Sequence, residues 1–249
     1  MSAAPDSTAP AARSASIEPR SLPDPLPDIA HGSGRRVVAP FALALPFLVL
    51  VPPVGLLLLA VGAFSVYFYR DPERDPAGEG IVSPADGHVS VIREDGDRVR
   101  VGVFMSPLDV HVCRAPADGA VTRLDHRGAA HKPAFAKESE RNERFEYSLI
   151  DREGDTDGEG GTADDGDADD QPSTDADRTD GALIAGWFAR RITPYVSRGD
   201  ALTRGERLGY IAFGSRADVV LPEGYDAADV RVRRGEKVRA GESVIARRD

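Results

Sequence analysis

The chain has no charged residue from Val37 to Tyr69, and an apolar stretch of this length avoids water either in a membrane or in a protein interior. It is long enough to meet the hydrocarbon thickness of a bilayer. It is also too long, and begins too far from the N-terminus, for a simple signal peptide. A buried helix pair of a soluble protein is disfavoured, because the stretch has no polar face. We therefore expect residues 35–70 to be a hydrophobic membrane anchor.

Prolines leave the geometry of this anchor open. Pro52 and Pro53 divide the stretch into halves that are each short for a crossing, so a kinked span, a shallow hairpin and peripheral attachment are all compatible. Arg35 and Arg36 precede the stretch and Arg70 follows it, which favours a hairpin with both ends cytoplasmic. The remaining domain is then expected on the cytoplasmic side of the cell membrane.

Charge is distributed unevenly along the 249 residues. The net charge is -10, but residues 151–180 contain thirteen acidic side chains and two arginines, so this segment alone carries -11. Such a tract is typical of a solvated insertion loop, and no basic surface suited to nucleic acid is visible elsewhere. Residues 1–34, rich in Ala, Ser and Pro without apolar periodicity, are expected to be a disordered leader. Residues 71–249 remain as one folded domain.

From Ile81 onward the sequence changes to short β-type runs separated by Gly, Pro and Asp, which predicts a mainly antiparallel β domain. Two turn motifs are duplicated. Pro84-Ala-Asp-Gly-His-Val89 recurs as Pro116-Ala-Asp-Gly-Ala-Val121, and a Gly-Glu turn precedes an apolar run at residues 205, 235 and 241. Duplicated turns of this kind resemble the barrel-sandwich folds of lipoyl and biotinyl carrier domains.

Six short motifs follow one another between Tyr67 and Ala246. They are Phe68-Tyr-Arg-Asp-Pro-Glu-Arg74, Ser83-Pro-Ala-Asp-Gly87, Phe104-Met-Ser-Pro-Leu-Asp-Val-His111, Asn142-Glu-Arg144, Ala189-Arg-Arg-Ile192 and Phe213-Gly-Ser-Arg216. Each motif alone is a weak signal, but their order and spacing together are specific. In these motifs the chain resembles the phosphatidylserine decarboxylases, in particular their compact microbial, archaeal-type form.

The resemblance implies that the chain cuts itself between Gly214 and Ser215 and converts Ser215 into a pyruvoyl group, which is its cofactor. The chemistry suits these residues, because glycine leaves its carbonyl unshielded and the hydroxyl of the following serine can turn onto that carbonyl. The two cleavage fragments, 1–214 and 215–249, would stay together as a heterodimer.

The serine hydroxyl needs a base, because serine is a poor nucleophile at neutral pH. The resemblance implies that His111 is this base and that Asp86 fixes its tautomer, in a serine-protease-like arrangement. The duplicated turn leaves Asp118 open as an alternative orienting carboxylate. Long-form bacterial relatives carry a second histidine three residues after the first, where this chain has Arg114. The proton donor in the later decarboxylation therefore stays open, and His111 is the nearest candidate by motif.

The resemblance also implies a substrate, a serine phospholipid that is decarboxylated to the ethanolamine lipid and carbon dioxide while the pyruvoyl group serves as electron sink. Arginine forks match phosphate oxygens, so Arg144, Arg190 and Arg191 are candidate ligands of the headgroup phosphate, with surface salt bridges as the alternative. Phosphatidylserine and archaetidylserine both remain candidates, because the proposed site meets only the headgroup.

Two other functions are compatible with parts of the sequence. A membrane-tethered lipoyl-like binding module would need a modifiable lysine at a tight hairpin, which is not apparent. A conventional serine hydrolase would need a Gly-x-Ser-x-Gly elbow, which the sequence lacks. No metal is expected, because the histidines do not have a spacing typical of zinc enzymes. Cys113 is the only cysteine, so an intramolecular disulfide is excluded.

Overall fold

The computed structural model describes residues 28–127, 143–151, 178–186, 192–211 and 215–248. Within these ranges two helices, α1 (Gly34–Leu50) and α2 (Pro52–Phe68), precede a domain built of strands. The strands are β1 (Ile81–Val82), β2 (Gly87–Asp95), β3 (Arg98–Met105), β4 (Val112–Arg114), β5 (Gly119–Arg127), β6 (Arg144–Ile150), β7 (Arg178–Ile184), β8 (Ile192–Pro194), β9 (Ala201–Leu202), β10 (Arg207–Ile211), β11 (Ser215–Val220), β12 (Lys237–Val238) and β13 (Val244–Ala246).

The described strands form three antiparallel sheets. Eight strands lie in the order β12-β2-β3-β11-β7-β6-β5-β9, three in the order β4-β10-β8, and two in the order β1-β13. The alternation along β3 is typical, since Val99, Val101 and Val103 enter the core while Arg98 and Arg100 bond to carboxylates on the opposite face. The predicted β-rich, antiparallel fold is confirmed.

The uncharged stretch folds as a helical hairpin. Pro52 begins α2, at a position where a helix does not use the amide hydrogen that proline lacks. The two helices approach closely, because a Cβ added to Gly55 would lie 2.5 Å from the Leu48 backbone, and one added to Gly62 would lie 2.8 Å from the Phe41 ring. The geometry is that of the hairpin and not of the kinked span. Among the described residues, neither helix has the length and hydropathy that a membrane crossing requires.

The hairpin ends in a small core that it shares with the β domain. Its buried members are Ala30, Val37, Phe68, Tyr69, Val110, Val112 and Tyr210. Two of them, Val110 and Val112, flank His111 in the chain. The end of the hairpin therefore packs against the segment that carries the candidate base.

The duplicated turns occupy equivalent places in the domain. The carboxylate of Asp86 accepts the backbone N–H of Ala240 at 2.8 Å, and the carboxylate of Asp118 accepts that of Arg204 at 2.8 Å. The two Pro-Ala-Asp-Gly turns also exchange backbone hydrogen bonds through the residues beside them. Each aspartate thus fixes one Gly-Glu turn, which gives the repeat a structural role.

Residues 70–74 join the hairpin to the β domain through buried charges. Asp71 is 4% exposed, and its carboxylate accepts hydrogen bonds from Arg114 at 3.0 Å and from Arg207 at 2.5 Å. Arg74 donates to both carboxylate oxygens of Asp86, at 3.1 and 3.0 Å. A buried charge without a partner is costly, so these pairs fix the path of the segment.

The predicted leader is longer than the structure supports. Ala30 donates its N–H to the Tyr69 carbonyl at 2.8 Å, and Ser33 is fully buried, so residues 28–33 are folded against the base of the hairpin. Residues 1–27 of the predicted leader lie outside the described residues.

The predicted insertion loop ends earlier than expected. Asp180 belongs to β7, where its carboxylate bonds Arg98 and accepts the Ser148 hydroxyl at 2.5 Å. Cross-strand partners on the face of the sheet therefore hold an acidic residue that composition alone assigns to a loop. Residues 152–177 lie outside the described residues.

Replacing Asp71 by asparagine should lower the free energy of unfolding by about 3 kcal/mol, because Arg114 would keep a buried charge without its carboxylate. Urea unfolding of the purified chain measures the change. Asp75→Asn is the matched control, since Asp75 is exposed and the substitution is the same. Equal stability of the two variants would contradict the structural role of Asp71.

Candidate active site

Ser215 is the first residue of β11 and is fully buried. It pairs with Met105 of β3, and its hydroxyl oxygen lies 3.8 Å from the Met105 sulfur, which is a weak acceptor. β11 is bordered by β3 on one side and by β7 on the other. The hydroxyl is thus held in place without a strong acceptor among its described contacts. Gly214, the other half of the predicted cleavage site, lies outside the described residues.

His111 lies immediately before β4, close to the strand that leads to the predicted cleavage site. Its carbonyl accepts the N–H of Ile211 at 3.2 Å. Ile211 is the last residue of β10, three positions before Gly214 in the chain. The backbone therefore brings His111 next to the start of the segment that ends in the Gly214–Ser215 bond.

The ring of His111 is oriented by a backbone carbonyl. Its Nδ1 lies 2.9 Å from the Asp109 carbonyl oxygen, and because a carbonyl only accepts, Nδ1 carries the proton. Nε2 is then the unprotonated nitrogen, and it has no hydrogen-bond partner among the described residues. The Phe68 ring packs against the imidazole at a centroid distance of 4.3 Å. Burial lowers the pKa of His111 to about 4, so the ring is neutral at neutral pH.

Asp86 does not orient His111 in this structure. Among the described residues, its carboxylate bonds the Arg74 guanidinium and the Ala240 N–H. Burial raises the pKa of Asp86, an effect to which the Asp109 carboxylate adds and which the bonds from Ala240 and Arg74 oppose. The orienting acceptor is the Asp109 carbonyl, so a part for Asp86 in the reaction stays a prediction. Its alternative, Asp118, is exposed.

Of the candidate phosphate ligands, the structure describes Arg144, which it does not bring together with Ser215. Arg144 and Arg216 both pair with Ile184, so they share one face of the sheet, whereas Ser215 points to the other face. Arg144 forms a 3.2 Å salt bridge with Glu146 and lines a charged cavity of about 180 Å³. Arg190 and Arg191 lie outside the described residues.

Three residues near the site were quoted within motifs but given no role from sequence. Asp109 supplies the acceptor for Nδ1, Phe68 covers the imidazole, and Arg74 occupies the Asp86 carboxylate. The available signal for Arg74 was the group of charged residues at positions 70–74, directly after the uncharged stretch. No sequence pattern distinguishes a carbonyl acceptor, because every residue has one.

A buried serine hydroxyl and an unprotonated histidine nitrogen are the groups that base-assisted nucleophilic chemistry requires. The two groups are not hydrogen-bonded to each other among the described residues, so fold and site are compatible with a β-rich enzyme of that general class. Comparison with known proteins makes the class specific. A family model described as phosphatidylserine decarboxylase matches residues 61–157 and 181–246.

Individual relatives agree with the family model. A Halobacterium salinarum protein, provisionally named archaetidylserine decarboxylase proenzyme, is 47% identical over 219 residues, which is 86% of this chain and 95% of the relative. The phosphatidylserine decarboxylase proenzyme of Streptomyces avermitilis is 42% identical over 190 residues, 76% of each chain. No solved structure matches the chain. The chain belongs to the phosphatidylserine decarboxylase family and is a decarboxylase.

The buried, neutral His111 should make folding stability depend on pH. Its pKa is about 4 in the folded chain and ordinarily 6.5, so the unfolded chain takes up the proton first as the pH falls. The free energy of unfolding should therefore decrease by about 3 kcal/mol between about pH 7 and pH 4. Urea unfolding of Ser215→Ala and of Ser215→Ala/His111→Gln at several pH values isolates the histidine, and equal slopes in both chains would contradict the assignment.

Proposed function

We propose that the chain is a proenzyme that cuts itself between Gly214 and Ser215 and then decarboxylates a serine phospholipid, phosphatidylserine or archaetidylserine. The relatives' names support both the self-processing and the substrate class. The observation that carries the proposal is the buried Nε2 of His111, which has an available lone pair and no hydrogen-bond partner among the described residues, in a residue whose backbone bonds Ile211.

His111 starts the reaction by taking the hydroxyl proton of Ser215 on Nε2. The freed oxygen attacks the Gly214 carbonyl carbon, the peptide C–N bond breaks, and the amine of Ser215 takes up a proton as an ester replaces the amide. Loss of the α-proton of Ser215 then expels the Gly214 carboxylate and leaves a dehydroalanine residue. Water replaces its nitrogen, which departs as ammonia, and a pyruvoyl group remains.

Ser215 is well placed to carry this group. It begins a strand, is fully buried, and has the Met105 sulfur rather than a strong acceptor beside its oxygen. A pyruvoyl group at this position would supply the electron sink for the electrons released with carbon dioxide. His111 is the proposed proton donor and Asp86 an accessory carboxylate, which Arg74 holds in place.

The two fragments stay together as a heterodimer because the sheets join them. All strands after the cut pair with strands before it: β11 with β3 and β7, β12 with β2, and β13 with β1. The small fragment also contributes buried apolar side chains to the main core. The likeness of this duplicated β core to lipoyl-type barrel-sandwich folds is part of the proposal, supported by the equivalent aspartate bonds of the two repeats.

Arg190 and Arg191 remain the proposed ligands of the headgroup phosphate. They directly precede Ile192, whose strand partner is Ile211, the residue that also bonds His111. Arginine suits this role because its fork matches two phosphate oxygens. Arg144 is the weaker candidate, because it lies on the face of the sheet opposite to Ser215.

The proposed attachment site is the cytoplasmic face of the cell membrane, reached through the hairpin. Side chains that expose more than half of their surface cover both helices. They are Val38, Leu43, Leu45, Val49, Leu50, Leu56 and Leu57. The two ends of the hairpin lie side by side, joined by the bridge between Ile29 and Arg70, and they pack on the β domain through the small core. Exposed apolar area of this extent suits insertion from one side into lipid.

Ser215→Ala should remain one chain and release no carbon dioxide from a serine phospholipid, because it has neither the nucleophile nor the precursor of the pyruvoyl group. The unchanged chain should yield two fragments, with residues 215–249 blocked to N-terminal sequencing. Denaturing electrophoresis and intact-mass analysis measure this. Ser197→Ala, at an exposed serine, should behave like the unchanged chain. Cleavage of the Ser215→Ala chain would contradict the proposal.

Leu57→Lys should weaken binding to phospholipid vesicles about tenfold, because a lysine within the apolar layer is costly to insert. Leu57 is 63% exposed on α2, so the fold should tolerate the change. Vesicle flotation measures binding, and Ser197→Lys on the β domain is the matched control. Unchanged flotation of Leu57→Lys would show that the hairpin does not enter lipid.

A further inference from the structure

The carbonyl that holds His111 belongs to a short turn. The Asp109 N–H bonds the Ser106 carbonyl at 3.0 Å, and the Ser106 hydroxyl and N–H both bond the Asp109 carboxylate, at 2.7 and 2.8 Å. The turn projects from the domain, since Leu108 is 62% exposed. Exposed backbone of this kind is mobile unless a neighbouring element holds it.

Two side chains at the end of α2 hold this turn. The Tyr67 hydroxyl donates to the Leu108 carbonyl at 3.0 Å, and the Arg70 guanidinium donates to the same oxygen at 2.9 Å. Arg70 also donates to the Tyr67 carbonyl at 2.6 Å, and its guanidinium lies 3.9 Å from the centre of the Tyr67 ring. The two residues support each other and converge on one oxygen. Together they form what we call the Leu108 clamp.

We propose that Tyr67 and Arg70 are positioning residues for self-cleavage. By fixing the Leu108 carbonyl they fix the next residue, Asp109, whose carbonyl sets the tautomer and the place of the His111 ring. The proposal rests on the proposed role of His111 as the base.

The charge of Arg70 and its positioning of the turn predict different effects on the cleavage rate when Arg70 is replaced. The Asp109 carboxylate, from the turn, and Arg70, from the end of α2, face His111 and have opposite effects on its pKa. Arg70 lowers this pKa, so its removal by charge alone would make His111 a stronger base and would not slow the reaction. Slower cleavage after removal of Arg70 therefore reports lost positioning.

The first test measures the rate of self-cleavage. Pulse-chase labelling of the freshly translated full chain, in the presence of phospholipid vesicles, follows the reaction. Arg70→Gln and Tyr67→Phe should each slow the first-order rate, with about a tenfold loss for Arg70→Gln. Arg70→Lys should be faster than Arg70→Gln, because lysine still donates to a carbonyl. Arg35→Gln is the matched control, because Arg35 is exposed at the start of α1, and its rate should not change.

The second test reads the tautomer directly and is independent of cleavage. In the Ser215→Ala chain, ¹⁵N NMR of the imidazole should show the proton of His111 on Nδ1. Adding Arg70→Gln and Tyr67→Phe should produce a mixture of the two tautomers while the unfolding midpoint changes little. A purely structural role of the clamp would lower the midpoint and leave the tautomer unchanged.

The outcomes distinguish the clamp from the function on which it rests. Normal cleavage rates in Arg70→Gln and Tyr67→Phe, together with failed cleavage in His111→Gln, would overturn the clamp alone. Normal cleavage in His111→Gln would overturn the base and the clamp with it. An unchanged His111 tautomer in the double variant would likewise overturn the clamp.

Discussion

Buried charges have to be paired, and this requirement determines how the hairpin and the β domain are joined. Asp71 is removed from water between Arg114 and Arg207, and Arg74 is removed from water between Asp86 and Glu242. Each of these pairs links the segment after α2 to a different part of the β domain. Leaving one member unpaired would cost several kcal/mol, so the segment has little freedom to take another path. The end of α2, with Phe68 and the Leu108 clamp, is positioned as a consequence.

The same pairing explains why a carbonyl and not a carboxylate orients His111. The Asp86 carboxylate already bonds Arg74 and Ala240, so in the uncleaved chain it is engaged elsewhere. A carbonyl dipole fixes the tautomer but stabilises an imidazolium far less than a carboxylate does. Burial therefore dominates, and the pKa of His111 falls to about 4. Such a base is weak but always unprotonated at neutral pH, which is sufficient for a bond that each chain breaks once.

Much of the fold was predictable because it depends on local patterns. Alternation predicted the main strands, the duplicated Pro-Ala-Asp-Gly turns proved to be equivalent, and Pro52 marked the start of the second helix. The predicted end of the leader and the assignment of Asp180 to the insertion loop were wrong, because tertiary partners override composition. Ala30 bonds Tyr69, and Asp180 bonds Arg98. Ser215 and His111 were accessible through motifs. Three features could not be predicted from motifs. They are the bond from His111 to the Asp109 carbonyl, the packing of Phe68 on the imidazole, and the position of Arg144 on the face of the sheet opposite to Ser215. These features depend on strand register, on tertiary packing and on backbone atoms that every residue has.

The position of the proposed cut at the start of a strand has a physical consequence. Six residues, Ser215 to Val220, pair with β3 along one edge, and most of them pair with β7 along the other. Breaking the bond before Ser215 leaves the pairing of Arg216 to Val220 with both neighbouring strands intact, because these residues all lie after it. The sheet register, and not the covalent link to Gly214, therefore keeps position 215 beside Met105. A cut in the middle of β11 would divide the paired residues between two fragments, whereas a cut at its first residue leaves the reacting position attached to a strand bordered on both sides.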